Sequence, residues 1–144
     1  MLRSVLSVVA GIVVLTVASF AIEAALDPVL LWAFPQALPN PKTLHANQWV
    51  MGLTYAYGLL CVAAGGYVTG RLARRLPIGH AVAMGIVQAM LTVAAMFSPE
   101  SSHASTLQWI LIAVLSIPAA VAGGAFYKRR RKVDEGLEKT PARA

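Results

Sequence analysis

GHAVAMGIVQAMLTVAAMF, residues 79–97, decides the fold: nineteen consecutive residues contain no Asp, Glu, Lys or Arg. Wound as an α-helix at 1.5 Å per residue, such a stretch is about 28 Å long, which matches a bilayer hydrocarbon core of about 30 Å. It shows neither the two-residue alternation of a barrel strand nor the polar face of a helix lying on a membrane surface. Three further apolar runs flank it, at residues 5–25, 49–68 and 107–127. Hydrocarbon offers no partner to backbone N–H and C=O groups, so runs of this length must satisfy themselves as helices. The expected fold is all-α, a four-transmembrane-helix bundle occupying residues 1–127.

Composition points the same way. Of 144 residues, 58% are hydrophobic and 12% charged, against about 25% charged in a soluble domain, and mean hydropathy is +0.66. The formal charge of +6 raises nucleic acid as a partner until the basic residues are located. Arg3, Arg71, Arg74, Arg75, Lys128, Arg129, Arg130, Arg131, Lys132, Lys139 and Arg143 all fall at one face of the four-span arrangement, and Lys42 alone at the other. Basic residues are retained in the cytoplasm, so both termini are expected inside, in a bacterial inner membrane. The run from Lys128 to Lys132 then reads as a stop-transfer signal able to attract anionic lipid headgroups. It has no interleaved aromatics and no reader domain, which argues against nucleic acid. Residues 133–144 are expected to be a disordered tail. Trp32, Trp49 and Trp109 mark the outer boundary, and Tyr67, Phe126 and Tyr127 the inner one. A rival reading treats residues 1–21 as a signal peptide cleaved near Ser19-Phe20-Ala21, but the apolar run exceeds a typical signal core.

The links differ in character. Residues 26–48 hold Pro28, Pro35, Pro39 and Pro41 and cannot form one continuous helix. Residues 72–78 form a short basic link, and residues 98–106 a Ser-rich one.

Helices in lipid associate through small residues and a few buried hydrogen bonds. Gly66 and Gly70 stand in GxxxG spacing, Gly85 lies between Ala81 and Ala89, and Ala119 and Ala120 precede Gly123 and Gly124 by four. These glycines are expected in helix contacts, with Val62 and Val121 off those faces. Pro118 is expected to kink the fourth helix. Gln88 and Ser116 come out at similar depth, about 14 Å below the outer surface, and are paired as an interhelical hydrogen bond. The segment Val62-Ala63-Ala64-Gly65-Gly66 resembles Ala120-Val121-Ala122-Gly123-Gly124, 58 residues later, which suggests two related hairpins.

No GxSxG, HExxH or Walker pattern occurs, and Cys61 is the lone cysteine. No enzyme activity and no cofactor are expected. Glu23 and Asp27 are the residues most in need of an account, one helical turn apart late in the first span. They either reach water at the outer headgroups or, for Glu23, occupy a wet cavity as a proton or cation site, with Thr54, Tyr55, Tyr57 and Thr92 at similar depth. His45, Glu100 and His103 lie on the same side, but their spacing does not demand a metal. His80 serves to open the third helix.

Gly65-Gly66-Tyr67-Val68-Thr69-Gly70-Arg71 closing the second span, a short basic link, His80-Ala81 opening the third and a late acid in the first together resemble the small four-helix membrane proteins of bacteria. The resemblance implies the fold and brings no activity. The small multidrug-resistance transporters also place a glutamate in the first of four spans. Theirs is central in a tightly looped bundle, whereas here the glutamate falls late in its span and a connection of about 20 residues follows. Two functions remain as expectations: a non-catalytic protein packing against itself or a membrane partner, and a small transporter or channel subunit using Glu23.

Overall fold

A computed structural model describes residues 2–73, 76–98 and 105–138. Arg74, Arg75, Glu100, His103, Lys139 and Arg143 lie outside them. Five helices follow in order: α1 (Leu2–Ala33), the short α2 (Pro41–Ala46), α3 (Gln48–Leu72), α4 (Pro77–Met96) and α5 (Thr106–Glu138). The four long ones are each long and apolar enough to cross a membrane. They alternate in direction, which brings residues 2, 72, 77 and 138 toward one end of the bundle, the basic end. The other end carries α2. Helix α3 packs against α1, α4 and α5, and α4 against α1 and α5.

The interior is small: Leu15, Cys61, Val62, Met84 and Ala120 form its buried core. Large apolar side chains such as Val13, Leu60, Met90, Leu107 and Leu111 face outward. That inversion, with bulky hydrophobes outside and small residues between helices, suits lipid as the solvent.

Two helices run further than their apolar spans. Helix α1 passes through Asp27 and Pro28 to Ala33, so the connection begins at Phe34 and not at Leu26. Proline removes one N–H, and the Ala24 carbonyl loses that helical donor. The residues beyond it, LeuLeuTrpAla at 30–33, remain helical because Leu30 is buried and Leu31 packs beside it. At the other terminus α5 passes through Pro118 and continues through the basic run to Glu138. The tail expected to be disordered is thus helical as far as residue 138. Lys, Arg and Glu are good helix formers, and Arg131 Nε donates to Glu135 Oε1 at 2.8 Å, one turn along.

The proline-rich connection is a folded cap. Asn40 accepts from the Thr43 N–H while the Thr43 hydroxyl accepts from the Asn40 N–H, and Pro41 occupies the first turn, where its missing N–H does no harm. Helix α2 thereby presses Leu44, 0% exposed, onto Leu30, Leu38 and Val50. Phe34 meets Trp49 edge to face, with 5.6 Å between ring centres. Asn47 then caps α3 through the Trp49 N–H.

Candidate functional site

Two kinds of place stand out: close helix crossings at the basic end and, nearer the cap, a polar cleft that opens between α1 and α4. The crossings follow from glycine. A methyl group on Gly66 would collide with the Ala120 carbonyl, and one on Gly123 with the Ala63 carbonyl. Thus the two look-alike segments of α3 and α5 pack directly on each other. Gly85 brings α4 against Ile117 and Ala120 of α5, and Gly124 faces Ala81. Gly70 makes ordinary contact with Gly124, Pro77 and Tyr127. Val62, expected off these faces, is a buried core residue.

A further crossing joins α1 to α3. A Cβ on Gly11 would strike the Thr69 hydroxyl and approach the Gly65 carbonyl to 2.8 Å, and one on Gly65 would lie 2.6 Å from the Gly11 carbonyl. Carbonyls aimed at glycine Cα–H groups make the weak C–H···O contacts frequent between close helices. Thr69 is fully buried, and its hydroxyl has no hydrogen-bond partner among the described residues. Gly11 went unnoticed in the sequence, although Ser7-x-x-x-Gly11 is the same small-xxx-small signal used elsewhere.

The expected Gln88–Ser116 bond is absent. Ser116 Oγ donates to the Ile112 carbonyl of its own helix at 2.8 Å, and Gln88 Nε2 to Thr92 Oγ1 at 3.5 Å. The reason is geometric: Gly85 lets α4 approach the Ser116 backbone, and Gln88, three residues on, turns toward α1.

There Gln88 joins Thr16, Ser19, Glu23, Leu15 and Phe20 around a cleft of about 220 Å³. Tyr57 reaches across from α3, and its hydroxyl donates to Glu23 Oε1 at 3.1 Å. Thr54 and Thr92 instead bond carbonyls of their own helices, those of Val50 and Gln88. The Tyr55 hydroxyl is buried with no partner among the described residues. Asp27, one turn beyond Glu23, is half-buried.

Depth follows from helix lengths. Helix α4 has 20 residues, about 30 Å, so its whole length is needed for the hydrocarbon core. Gln88 stands eight residues before Met96, about 12 Å from that end. Glu23 shares its cleft and is itself ten residues from the end of α1, about 15 Å. A span ending at Ala25 would set Glu23 two residues from the helix end, whereas α1 continues to Ala33.

His80 Nδ1 lies 3.1 Å from the Leu76 carbonyl at the start of α4. Among the described residues, no three His, Cys, Asp or Glu side chains gather as a metal site would require. The sequence matches no protein-family model, and the chain matches neither a curated protein nor a solved structure.

Proposed function

We propose that this chain is a small membrane transport protein or channel subunit in which Glu23 takes up and releases a proton or a cation. The observation that supports it is the Tyr57–Glu23 hydrogen bond of 3.1 Å, set beside a polar cleft at a depth that hydrocarbon would occupy. An ionised acid in the bilayer core costs about 2.5 kcal/mol or more, and acids retained there face the bundle and have partners. Tyr57 is such a partner, and Thr16, Ser19 and Gln88 supply neutral polar groups around it. The competing reading, packing against a second copy through small residues, has less support. Gly11, Gly65, Gly66, Gly85, Gly123 and Gly124 all meet helices of the same chain.

The same reading places the bundle in a bacterial inner membrane with both termini cytoplasmic. The positions of the basic residues support this orientation, and the mutual packing of the look-alike segments supports two related hairpins. Reporter fusions after Arg75 and Lys132 should read cytoplasmic, and fusions near Lys42 and His103 exterior. A cytoplasmic signal at Lys42 would overturn the orientation.

The decisive measurement is flux. Proteoliposomes carrying wild-type protein and an internal pH dye, under an imposed proton or sodium gradient, should show protein-dependent flux that Glu23→Gln abolishes and Tyr57→Phe lowers. Infrared difference spectra should show a pH-dependent carboxyl band that disappears in Glu23→Gln. Equal flux in wild type and Glu23→Gln, both folded, would leave a passive packing protein as the better account.

A further inference from the structure

On the opposite flank of the bundle, between α3 and α5 at the basic end, runs a second groove of about 540 Å³, within the range of about 300–1,000 Å³ usual for small-ligand sites. Small residues make it: Ala63 and Gly123 lie where the helices touch, and Ala64 and Ala122 leave its sides low. Tyr67 and Phe126 wall its basic end, 6.1 Å apart between ring centres, and Tyr127 stacks edge to face on Tyr67 from the other side. The groove ends in a charge. Arg130, one turn beyond Phe126, holds its guanidinium over the Phe126 ring, 5.4 Å from the centroid.

We propose that this groove binds one anionic phospholipid, with an acyl chain laid along Ala63, Ala64 and Ala122 and the phosphate met by Arg130. Three features select this occupant. The lining is apolar except at one end, so a wholly polar ligand gains nothing from most of it. The single charge at that end is a guanidinium, whose planar donor fork suits a phosphate oxygen pair. That guanidinium is oriented by the aromatic ring beneath it, whereas Arg131 of the same basic run is turned to Glu135. Lys128 and Arg129 do not line the groove, so a bound lipid would distinguish Arg130 from its neighbours. A diffuse attraction of the basic run for an anionic surface would not. The inference is independent of Glu23, which lies on another face and nearer the other end.

The test is lipid retention by the full chain. Protein reconstituted in vesicles of equal phosphatidylglycerol and phosphatidylcholine, then extracted in mild detergent and weighed by native mass spectrometry, should carry one phosphatidylglycerol in preference to phosphatidylcholine. Arg130→Gln should reduce that preference about fivefold, on the scale of one basic residue at a membrane surface, and Lys128→Gln should leave it near the wild-type value. Ala64→Phe, a substitution at an exposed position that fills the groove, should remove the bound lipid whatever its headgroup. Ala122→Phe, on the facing helix, serves the same purpose if the first variant folds poorly. Equal losses in Arg130→Gln and Lys128→Gln would overturn the site in favour of non-specific attraction. Undiminished retention in a folded Ala64→Phe or Ala122→Phe variant would overturn the groove, and displacement by inorganic phosphate would overturn the lipid as its occupant.

Discussion

Around Gly66, Gly123 and Gly11 the helices meet backbone to backbone; around Glu23, nearer the cap, they stand far enough apart to leave a cleft lined by hydroxyls and an amide. The two regions use the same helices, and the difference is made by side-chain size. Where α3 offers Gly65, Gly66 and Thr69, its neighbours close on it. Where it offers Tyr57, a hydroxyl bridges the gap to α1. Close contact in lipid supplies association through dispersion and weak C–H···O bonds, whereas a polar gap supplies little stability and leaves room for chemistry. A rigid half and a chemically equipped half therefore divide the bundle along its length.

The sharpest way to break that division is to overfill a crossing. Gly123→Leu should cost about 3 kcal/mol or more, because the added side chain meets the Ala63 backbone and neither helix can yield locally. Ala56→Leu, on the exposed face of α3, should leave the melting temperature in detergent nearly unchanged. Equal losses would mean that the glycines do not set the helix spacing. Next in size is Leu44→Ala in the cap, with an expected loss of about 2 kcal/mol for a buried leucine. Hydrogen exchange should show that loss confined to α2 and the adjoining turns, and simultaneous loosening of α3 at Gly66 would show the cap and the crossings to be one unit.

The four spans and most of the small-residue faces were legible because lipid imposes both: apolar length for crossing, and small residues for approach. Less legible was everything set by the ends of helices. Asp27-Pro28 marks a boundary by ordinary rules of chain geometry, yet α1 continues to Ala33 because Leu30 gains burial in a cap formed by residues distant in sequence. That extension sets Glu23 ten residues before the end of its helix, so the surroundings of the candidate site depend on a tertiary contact that no local pattern announces. The Gln88–Ser116 pairing failed for a related reason: equal depth does not fix the direction in which a side chain points, and Gly85 decides the rotation of α4. Gly11, by contrast, is readable from Ser7-x-x-x-Gly11, a purely local signal.

Tyr57→Phe probes the other side of the comparison. Interhelical hydrogen bonds in membrane proteins average about 0.6 kcal/mol, so a loss of about 1 kcal/mol or less in thermal stability is expected, far below that of Gly123→Leu. Its effect on Glu23-dependent flux should be proportionately larger. A stability loss rivalling that of the glycine variant would make Tyr57–Glu23 a structural bond and place the cleft in the rigid half.

The smallest expected effect lies in the turn that feeds the tight crossings. Leu76 has φ 52° and ψ 55°, the left-handed region, as the only residue other than glycine with positive φ among those described. For a side chain with a Cβ this conformation costs about 1–2 kcal/mol. Pro77 bars the right-handed helical region to Leu76 but would by itself favour extended backbone, so the left-handed conformation is held by the turn as a whole. The turn delivers Pro77 against the neighbourhood of Gly70 and Gly124, where a methyl on either glycine would lie 3.5 Å from Pro77 atoms. Strain at Leu76 therefore accompanies close packing of α4 on α5. Its side chain is 77% exposed, so removal sacrifices little contact. Leu76→Gly relieves the steric term but adds about 0.4–1 kcal/mol of unfolded-chain entropy, for a net gain of about 0.5 kcal/mol. Leu76→Asn tolerates the same conformation without that entropy and should gain at least as much. Thermal melts of the two variants in one detergent measure both. If both variants are destabilised, the Leu76 side chain holds contacts that outweigh its backbone strain, and the tightness at the basic end owes more to the link than to the glycines.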